Sequence, residues 1–506
     1  MTGRDDAPVC RPPAVDRQTV YEKSRPGRRA YTLPEPGVPE LAPDELVPEA
    51  LRRSAPARLP EISEIDLLRH FTGLSTLNFG VDSGSYPLGS CTMKYNPRVN
   101  EAAARLDGFA GLHPYQPEAL VQGALELMYD LERWLAEIAG LHATTLQPAA
   151  GAHGELTGLL VIRAAHLAEG REPKRVIIPD TAHGTNPASV VMAGFEPVAV
   201  RSDARGGVDM DALREILAGG DIAGLMLTNP NTLGLFDENI TEIARLVHEA
   251  GGLLYYDGAN ANAVLGISRP GDMGFDIVHF NTHKTFSTPH GGGGPGAGPI
   301  AVRDALAPFL PVPLVERADD GRFFLDEDRP LSIGRMRTFT GNFGVLVRAW
   351  TYIRGLGVEG LREVSEMAVL NANYVMEGLR DLLDLPYGER RCMHEFVASA
   401  TPLKEYGVRA LDVAKRLLDY GVHPPTTYFP LIVDEALMVE PTETESRDAL
   451  DRMIDAFRTV VREAQEQPEL LHEAPLTLPV RRLDEAQAAR RPVVTQRFPE
   501  DAEDGA

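Results

Sequence analysis

Three polar side chains follow three successive apolar segments of the sequence, and their chemical types suggest a shared site. Asn229 follows IAGLML, Asp257 follows GLLYY, and Lys284 comes shortly after FDIVHF, at nearly equal intervals along the chain. Each apolar segment has the length and composition of a buried strand. Open parallel sheets bind ligands at the carboxyl ends of their strands, so we expect the amide, the carboxylate and the amine to converge there.

This set of groups fits pyridoxal phosphate, a cofactor that draws an electron pair from the substrate's α-carbon into its ring. Asp257 is suited to hold a proton on the ring nitrogen, and Lys284 is suited to hold the cofactor aldehyde as an imine. The amide of Asn229 offers a donor to the 3-hydroxyl oxygen of the ring. Gly151 and Ala152 open a predicted helix, whose exposed backbone amides would bind the phosphate.

The elements that position these residues alternate between strands and helices. Apolar runs predict strands at 174–178, 197–202, 222–230, 251–260 and 275–281. Amphipathic spacing predicts helices at 154–168, 209–218 and 239–250. Strands separated by helices favour right-handed crossovers, so we predict an α/β domain with a parallel sheet covered on both faces.

The pattern along the chain predicts four regions: an extended arm rich in Pro and Arg over 1–60, a large domain over 61–340, a smaller carboxyl-terminal α/β domain over 341–475, and a tail over 476–506. Outside the central alternation we predict helices at 61–72, 117–139, 342–380, 410–420 and 446–465, and a strand at 428–433. The segment HEFVASA at 394–400 also belongs to the smaller domain. The glycine-rich run 289–299 follows Lys284 directly, so we expect it to approach a ligand or a neighbouring subunit and not to form a linker.

Composition and charge exclude several classes of protein. The 506 residues are 43% hydrophobic and 24% charged, as in globular proteins, and the net charge of −23 disfavours binding to nucleic acid or anionic membranes. The amino terminus does not resemble a signal peptide, and no apolar run is long enough to span a bilayer. Cysteines occur only at Cys10, Cys91 and Cys392, which fits a reducing cytoplasm and no CxxC metal site.

Structural roles remain open for several of these residues. Asp257 would also serve as a helix cap, and Asn229 with the following proline would also form a turn. His153 would also pack at a helix start, and Cys91 fits either a buried packing residue or a redox-sensitive thiol. The 13 histidines show no HExxH or Cys/His spacing, so we expect no catalytic metal.

Six segments of the sequence resemble, in order, the motif series of the glycine dehydrogenase (decarboxylating) family, the P protein of the glycine cleavage system. They are SYPLGSCTMKYNP, AAGAHGELTG, AHGTNPAS, LTNPNTLGLF, YYDGANANA and HFNTHKTFSTPHGGGGPGAG. The resemblance implies the fold of the type I pyridoxal-phosphate enzymes, a large mixed or parallel-sheet cofactor domain with a smaller carboxyl-terminal domain. The chain resembles only the lysine-bearing half of the longer one-chain form, which implies a separate subunit 1 in a heterodimer that pairs again.

The resemblance also implies roles for individual residues. Lys284 matches the family's cofactor lysine, and Asp257 matches the carboxylate at the ring nitrogen. His153 is the candidate for a ring stacked on the cofactor, and His183, Thr282 and His283 are candidate donors to phosphate or substrate. Arg335 and Arg337 are possible partners of the substrate carboxylate, which the sequence does not place.

The activity that the resemblance implies is decarboxylation of glycine, followed by transfer of the aminomethyl group to the lipoyl disulfide of the H protein. Two rival hypotheses stay open at this point. One is another type I pyridoxal-phosphate enzyme, such as an amino-acid decarboxylase or a cysteine desulfurase. The other is a catalytically silent subunit that shapes the active site of its partner, against which Lys284 argues.

Overall fold

The computed structural model describes residues 18–496, and its contacts divide the chain into two compact units, Met1–Gly80 and Val81–Ala506. In the first unit, residues 18–60 contain two short helical segments, α1 (Pro43–Leu46) and a 3-10 turn at Glu49–Leu51. Helix α2 (Glu64–Ser75) follows, and the Ser63 side chain caps it by accepting from the Asp66 amide at 3.3 Å. This confirms the helix predicted behind Ser63. Residues 1–17 of the predicted arm lie outside the described residues.

A seven-stranded mixed sheet forms the centre of the second unit. Its strands are β1 (Ala143–Thr145), β2 (Arg175–Pro179), β3 (Glu196–Val200), β4 (Ile222–Leu227), β5 (Leu253–Gly258), β6 (Ile277–Phe280) and β7 (Ile300–Val302). They lie in the order β1-β7-β6-β5-β4-β2-β3. Strands β2 to β6 pair in parallel, which confirms the predicted parallel sheet, while β7 runs antiparallel to both β6 and β1. The sequence analysis did not identify β1 and β7, which have only three residues each.

Helices precede the sheet in the chain, lie between its strands and follow it. They are α3 (Arg98–Ala104), α4 (Asp107–Ala110), α5 (Gln122–Ala139), α6 (Gly151–Ala168), α7 (Thr185–Met192), α8 (Met210–Ala218), α9 (Ile240–Glu249), α10 (Phe343–Gly378), α11 (Ala410–Asp419), α12 (Arg447–Glu466), α13 (Pro468–Glu473) and α14 (Glu485–Arg490). The helix predicted over 117–139 is a 3-10 turn followed by α5, because Val121 has a non-helical conformation. No helix among residues 18–496 has both the length and the apolar character needed to cross a membrane.

Buried side chains of the second unit form separate apolar cores. The parallel strands present residues such as Ile177, Leu225 and Val278 to helices on one face, and Val176, Met226 and Ile277 to helices on the other. This explains why the strands read as continuous apolar runs. A further core gathers residues from Ala372 to Leu471, where the carboxyl-terminal end of α10 packs with α11 and α12.

The carboxyl-terminal core is covered by a three-stranded antiparallel sheet. Its strands are β10 (Phe396–Ser399), β11 (Thr426–Thr427) and β12 (Ala436–Val439), in the order β10-β12-β11, and a two-stranded ribbon, β8 (Leu314–Arg317) with β9 (Phe323–Asp326), precedes them in the chain. The strand predicted at 428–433 is wrong, because this segment turns between β11 and β12. Pro430 has no amide hydrogen to donate to a ladder, and its carbonyl accepts a turn bond from the Val433 amide.

Candidate active site

A cavity of about 640 Å³ lies at the carboxyl ends of β4, β5 and β6. We call it the active cavity, and it is lined by residues 89–91, 150–152, 183–185 and 293–296 together with Glu155, Thr228, Thr232, Asp257, Ala259, Asn260, Asn281, His283, Lys284, His290, Thr426 and Phe429. Most of these residues follow a strand or begin a helix of the sheet domain. The position agrees with the strand-end rule from which the site was predicted.

Lys284 and Asp257 both line the active cavity, as their places in the sequence predicted. Asp257 is the fifth of the six residues of β5, and Lys284 lies in the turn that follows the neighbouring parallel strand β6. The Lys284 amide donates to the Asn281 carbonyl at 3.0 Å, which holds the turn closed. The positive charge of Lys284 is one of the influences on the buried carboxyl of Asp257.

Asp257 is almost completely buried, and donors hold it as a carboxylate. Its Oδ2 accepts from the Asn186 amide group at 3.0 Å, its Oδ1 accepts from the Ala259 amide at 3.0 Å, and Nε2 of His279 lies 3.2 Å from Oδ1. Burial by itself would raise the pKa of Asp257, but His279, these hydrogen bonds and Lys284 together bring the pKa below its ordinary value. The carboxylate is therefore charged at neutral pH and suited to a protonated ring nitrogen.

One end of the active cavity is built to receive an anion. Helix α6 begins there, and its first residue follows Ala150, which offers no side-chain cap, so the first-turn amides are left for a ligand. Asn281 lines the cavity here with a side-chain amide whose NH2 group can donate to an anion, and His283 has a buried Nδ1 without a partner among the described residues. Burial, the charge of Lys284 and the nearby His290 lower the pKa of His283 to about 3, so its ring is neutral.

The close approach of this end requires glycine. A Cβ atom on Gly151 would overlap Oδ1 of Asn281, and a Cβ atom on Gly298 would overlap the Ala150 carbonyl. These two positions bring the start of α6 against the glycine-rich run 289–299. The described residues therefore fit pyridoxal phosphate: a charged carboxylate, a lysine, and an anion site of helix amides and neutral polar groups line one cavity.

Glu155 is a functional candidate that the sequence analysis did not identify, although it lies in the helix-opening motif. It is buried, its Oε1 accepts from the Thr185 hydroxyl at 2.8 Å, and its Oε2 accepts from the Ser189 hydroxyl at 2.8 Å. The Thr185 amide in turn donates to Nδ1 of His183 at 3.2 Å, and His183 lines the active cavity as predicted. Glu155 thus holds the start of α7 and, through it, the His183 ring.

The structure does not bring the Asn229 side chain to the active cavity. Asn229 is fully buried, and its Oδ1 turns back to accept from the Asp237 amide at 2.8 Å, which fixes the loop after β4. The preceding residue, Thr228, lines the active cavity in its place. Nδ2 of Asn229 is buried without a hydrogen-bond partner among the described residues, so its predicted role as a donor to the cofactor stays a prediction.

Two further predicted residues are also turned toward the protein. Nδ1 of His153 accepts from the Ala149 amide at 3.1 Å, and the Thr282 hydroxyl donates to the Ala297 carbonyl at 3.2 Å. Neither side chain lines the active cavity, because each completes a local backbone turn beside it.

Neither arginine considered for the substrate carboxylate lines the active cavity. Arg335 pairs with Glu327 at the surface, and Arg337 donates to Oδ1 of Asn342. The Asn342 amide group then donates to the carbonyls of Ala149 and Gly296. Arg337 therefore supports the wall at the anion end instead of reaching into the cavity.

Comparison with known proteins identifies the family. The sequence profile of the family described as Glycine cleavage system P-protein matches residues 38–322, and that described as Glycine dehydrogenase, C-terminal domain matches residues 364–474. The chain is 59% identical to a protein of Caldanaerobacter subterraneus, over 94% of this chain and 98% of the relative. It is 60% identical to a protein of Halalkalibacterium halodurans, over 95% of this chain and 98% of the relative. Both are named probable glycine dehydrogenase (decarboxylating) subunit 2.

Solved structures share the fold. A crystal structure of glycine decarboxylase (P-protein) of the glycine cleavage system, in inhibitor-bound form, matches with a TM-score of 0.69 at 23% identity, over 83% of this chain and 95% of that chain. The structure of Oryza sativa TDC with PLP and tryptamine matches with a TM-score of 0.61 at 14% identity, over 84% of this chain and 92% of that chain. The predicted type I pyridoxal-phosphate fold is therefore confirmed, and the chain belongs to the glycine cleavage system P-protein family.

Proposed function

We propose that this chain is the lysine-bearing subunit of a two-subunit glycine decarboxylase that depends on pyridoxal phosphate. It releases the carboxyl group of glycine as CO2 and passes the aminomethyl group to the lipoyl disulfide of the H protein. The names of the relatives support the activity, and their similarity spans nearly the whole chain. The single observation that carries the proposal is the placement of Lys284 and Asp257 at the ends of adjacent parallel strands on one cavity.

Pyridoxal phosphate, when bound, supplies the aldehyde that links to amines and the ring that accepts the electron pair left by the departing carboxyl group. Asp257 keeps a proton on the ring nitrogen, because its buried carboxylate is held charged by His279 and Asn186. Lys284 is the amine that would bind the cofactor aldehyde. The first-turn amides of α6 with Asn281 and His283 hold the phosphate.

The walls of the active cavity come from several parts of the chain. Thr228 and Ala259 lie at the strand ends. Residues 89–91, which precede the sheet in the chain, line another wall. Polar residues in these walls are held by the protein, as Thr185 is held by Glu155. A site whose donors are fixed in advance stabilises charge in the transition state more strongly than mobile water does.

The name subunit 2 of the relatives supports a partner subunit 1, and we propose a heterodimer of the two that pairs again into a larger assembly. We also propose the lipoylated H protein as the acceptor of the aminomethyl group. Cys91 and Cys392 are both free thiols, which favours a reducing compartment and hence the cytoplasm.

The test is exchange of the glycine carboxyl group with labelled bicarbonate, with and without subunit 1. We expect exchange with glycine in the assembled complex and its loss in Lys284→Ala. Exchange that requires a different amino acid would contradict the glycine assignment. Full exchange by the chain alone as a homodimer would contradict the two-subunit proposal. Normal exchange by Lys284→Ala in the assembled complex would instead favour a catalytically silent, scaffolding role for this chain.

A further inference from the structure

Two buried glutamates meet behind the segment that closes the active cavity. Glu395 precedes β10 and Glu440 follows β12, and these strands pair antiparallel with Phe396 opposite Val439, so the two carboxyl groups are neighbours by register. Both side chains are fully buried. Their oxygens and a ring nitrogen of His394 all lie within 4.8 Å of one another.

Neither carboxyl group has a cationic partner in direct contact. Within residues 18–496, no Lys or Arg nitrogen lies within 4.0 Å of either glutamate. Nε2 of His394 lies 3.7 Å from Oε1 of Glu395. Burial raises the pKa of both glutamates, and the charge of Glu440 raises the pKa of Glu395 further. Both glutamates also raise the pKa of the nearby Cys91 thiol. The positive charge of Lys284 acts in the opposite direction on both. Two ionised carboxylates this close in a buried site repel, so the pair keeps one proton between them.

Each glutamate is joined to the 89–92 segment by two hydrogen bonds. The Ser90 amide donates to Glu395 at 2.6 Å, and the Ser90 hydroxyl is 3.0 Å from its other oxygen. The Thr92 amide donates to Glu440 at 2.9 Å, and the Thr92 hydroxyl does so at 2.6 Å. Ser90 lines the active cavity and Thr92 does not. Nδ2 of Asn260, another lining residue, donates to Glu395 at 3.5 Å, but an amide group does not pass on a proton as a hydroxyl does, so among these contacts the Ser90 hydroxyl is the one suited to carry a proton from the carboxyl pair to the cavity.

A hydroxyl can accept one hydrogen bond while donating another. When Glu395 carries the proton, its carboxyl OH donates to the Ser90 oxygen, and the Ser90 hydrogen is then free to face the cavity. We propose that the Glu395–Glu440 pair is a proton donor to the active cavity, acting through Ser90 during transfer of the aminomethyl group to the disulfide.

The proposal rests on the proposed function and supplies the proton that the second half-reaction, the aminomethyl transfer, requires. The electron pair left on carbon by the departing CO2 forms a new C–S bond with one sulfur of the disulfide. The S–S bond breaks, and the other sulfur leaves with that bonding pair, which reduces it to a thiolate. One proton then converts the thiolate to a thiol. Ser90 delivers this proton, Glu395 replaces it on Ser90, and the pair then regains a proton from water.

The test compares two hydroxyl deletions in the assembled complex of both subunits, using two rates. One is exchange of the glycine carboxyl group with labelled bicarbonate, and the other is aminomethyl transfer to lipoylated H protein. We expect Ser90→Ala to slow transfer about 10²-fold more than exchange, the size of a general-acid contribution. Thr92→Val removes the matching hydroxyl from Glu440 and should change both rates by the same factor.

A second variant distinguishes loss of the proton donor from misfolding. Glu395→Gln with Glu440→Gln keeps acceptors for both amides but removes the acid, so transfer should be lost while exchange persists. Equal slowing of both rates in Ser90→Ala, or normal transfer in the double variant, would overturn the proposal. A stoichiometric divalent cation in the purified protein would overturn it too, since both carboxylates would then be ionised ligands. A wild-type complex that shows neither rate would instead contradict the proposed function.

Discussion

Nε2 of His279 lies 3.2 Å from Oδ1 of Asp257, and the opposite ring nitrogen of His279 lies 3.0 Å from the Tyr255 hydroxyl. All three side chains are buried. With the tyrosine donating to Nδ1, the ring proton is on Nε2 and faces the carboxylate. These contacts connect the Asp257 carboxylate, through the His279 ring, to the buried Tyr255 hydroxyl.

The first prediction concerns pH. The folded pKa of Asp257 is lowered, so its charged form is present at neutral pH and is lost as the pH falls through that pKa. His279→Phe removes a favourable partner, so protonation should begin at higher pH and the acid limb of the exchange rate should move to higher pH. His279→Gln, which keeps a donor, should move it less.

A matched control is His166→Phe, since His166 is also buried and bonds only to the Ala223 carbonyl of β4 at 2.8 Å. This variant should lose stability without moving the acid limb. Equal shifts in His279→Phe and His166→Phe would show that general destabilisation is the cause.

The second prediction concerns the anion end of the active cavity. Gly151→Ala places a methyl group on Oδ1 of Asn281, so we expect weaker binding of pyridoxal phosphate and a loss of about 1–3 kcal/mol in the free energy of unfolding. Cofactor titration by absorbance and urea unfolding measure the two effects. Gly355→Ala is the control, because that helical glycine faces open space and should be neutral or stabilising. Unchanged cofactor affinity in Gly151→Ala would contradict the placement of the phosphate.

The third prediction concerns the buried lysine beside the catalytic turn. Nζ of Lys94 donates to the Thr285 carbonyl at 2.8 Å and to Glu443 at 2.5 Å, so it joins three parts of the chain next to Lys284. Lys94→Met leaves Glu443 buried without a cation and should cost about 3–5 kcal/mol, measured by urea unfolding.

Two comparisons make this result interpretable. Lys94→Met with Glu443→Met should recover much of the loss, because a hydrophobic pair can replace a buried ion pair. Arg362→Met breaks an exposed pair with Glu366 and should cost only about 0.3–0.5 kcal/mol. A Lys94→Met cost as small as that of Arg362→Met would contradict the buried pair.

The fourth prediction decides between the two interpretations of Cys91. Burial raises the pKa of its thiol to about 11, with Glu440 and Glu395 adding to the rise and Lys284 opposing it. The thiolate is the reactive form, so native Cys91 should react only slowly with iodoacetamide at neutral pH. Urea-unfolded protein is the control and should react rapidly. Rapid native alkylation mapped to Cys91 would favour a reactive thiol.

The sequence predicted the parts of the site that depend on local rules. Asp257 and Lys284 could be identified because one lies at the end of a buried strand and the other in the turn after the next strand, and Gly151 because it opens a helix. Asn229 satisfied the same rule, but whether its amide faces the cavity or the Asp237 amide depends on the path of the following loop. The bonds from Ser90 to Glu395 and from Thr92 to Glu440 join residues 305 and 348 positions apart, and no periodicity indicates such pairs.

The elements of the fold also divide into those that local patterns predict and those that they do not. The parallel strands were predicted to within three residues at each end, because burial on both faces makes each a continuous apolar run. The antiparallel β7 was not, since its Ile300–Val302 is too short to stand out beside the glycine-rich segment. The turn at 428–433 contains apolar residues that resemble a strand, and only the position of Pro430 argues against one.

The most direct test of the account is borohydride reduction of the protein loaded with pyridoxal phosphate, followed by peptide mass mapping. The account predicts a stable cofactor label on Lys284 and its absence in Lys284→Arg. Lys94 provides an internal comparison, because it is buried nearby but already paired with Glu443. A label on Lys94 or on another lysine, or no label even with subunit 1 present, would contradict the central claim that Lys284 holds the cofactor.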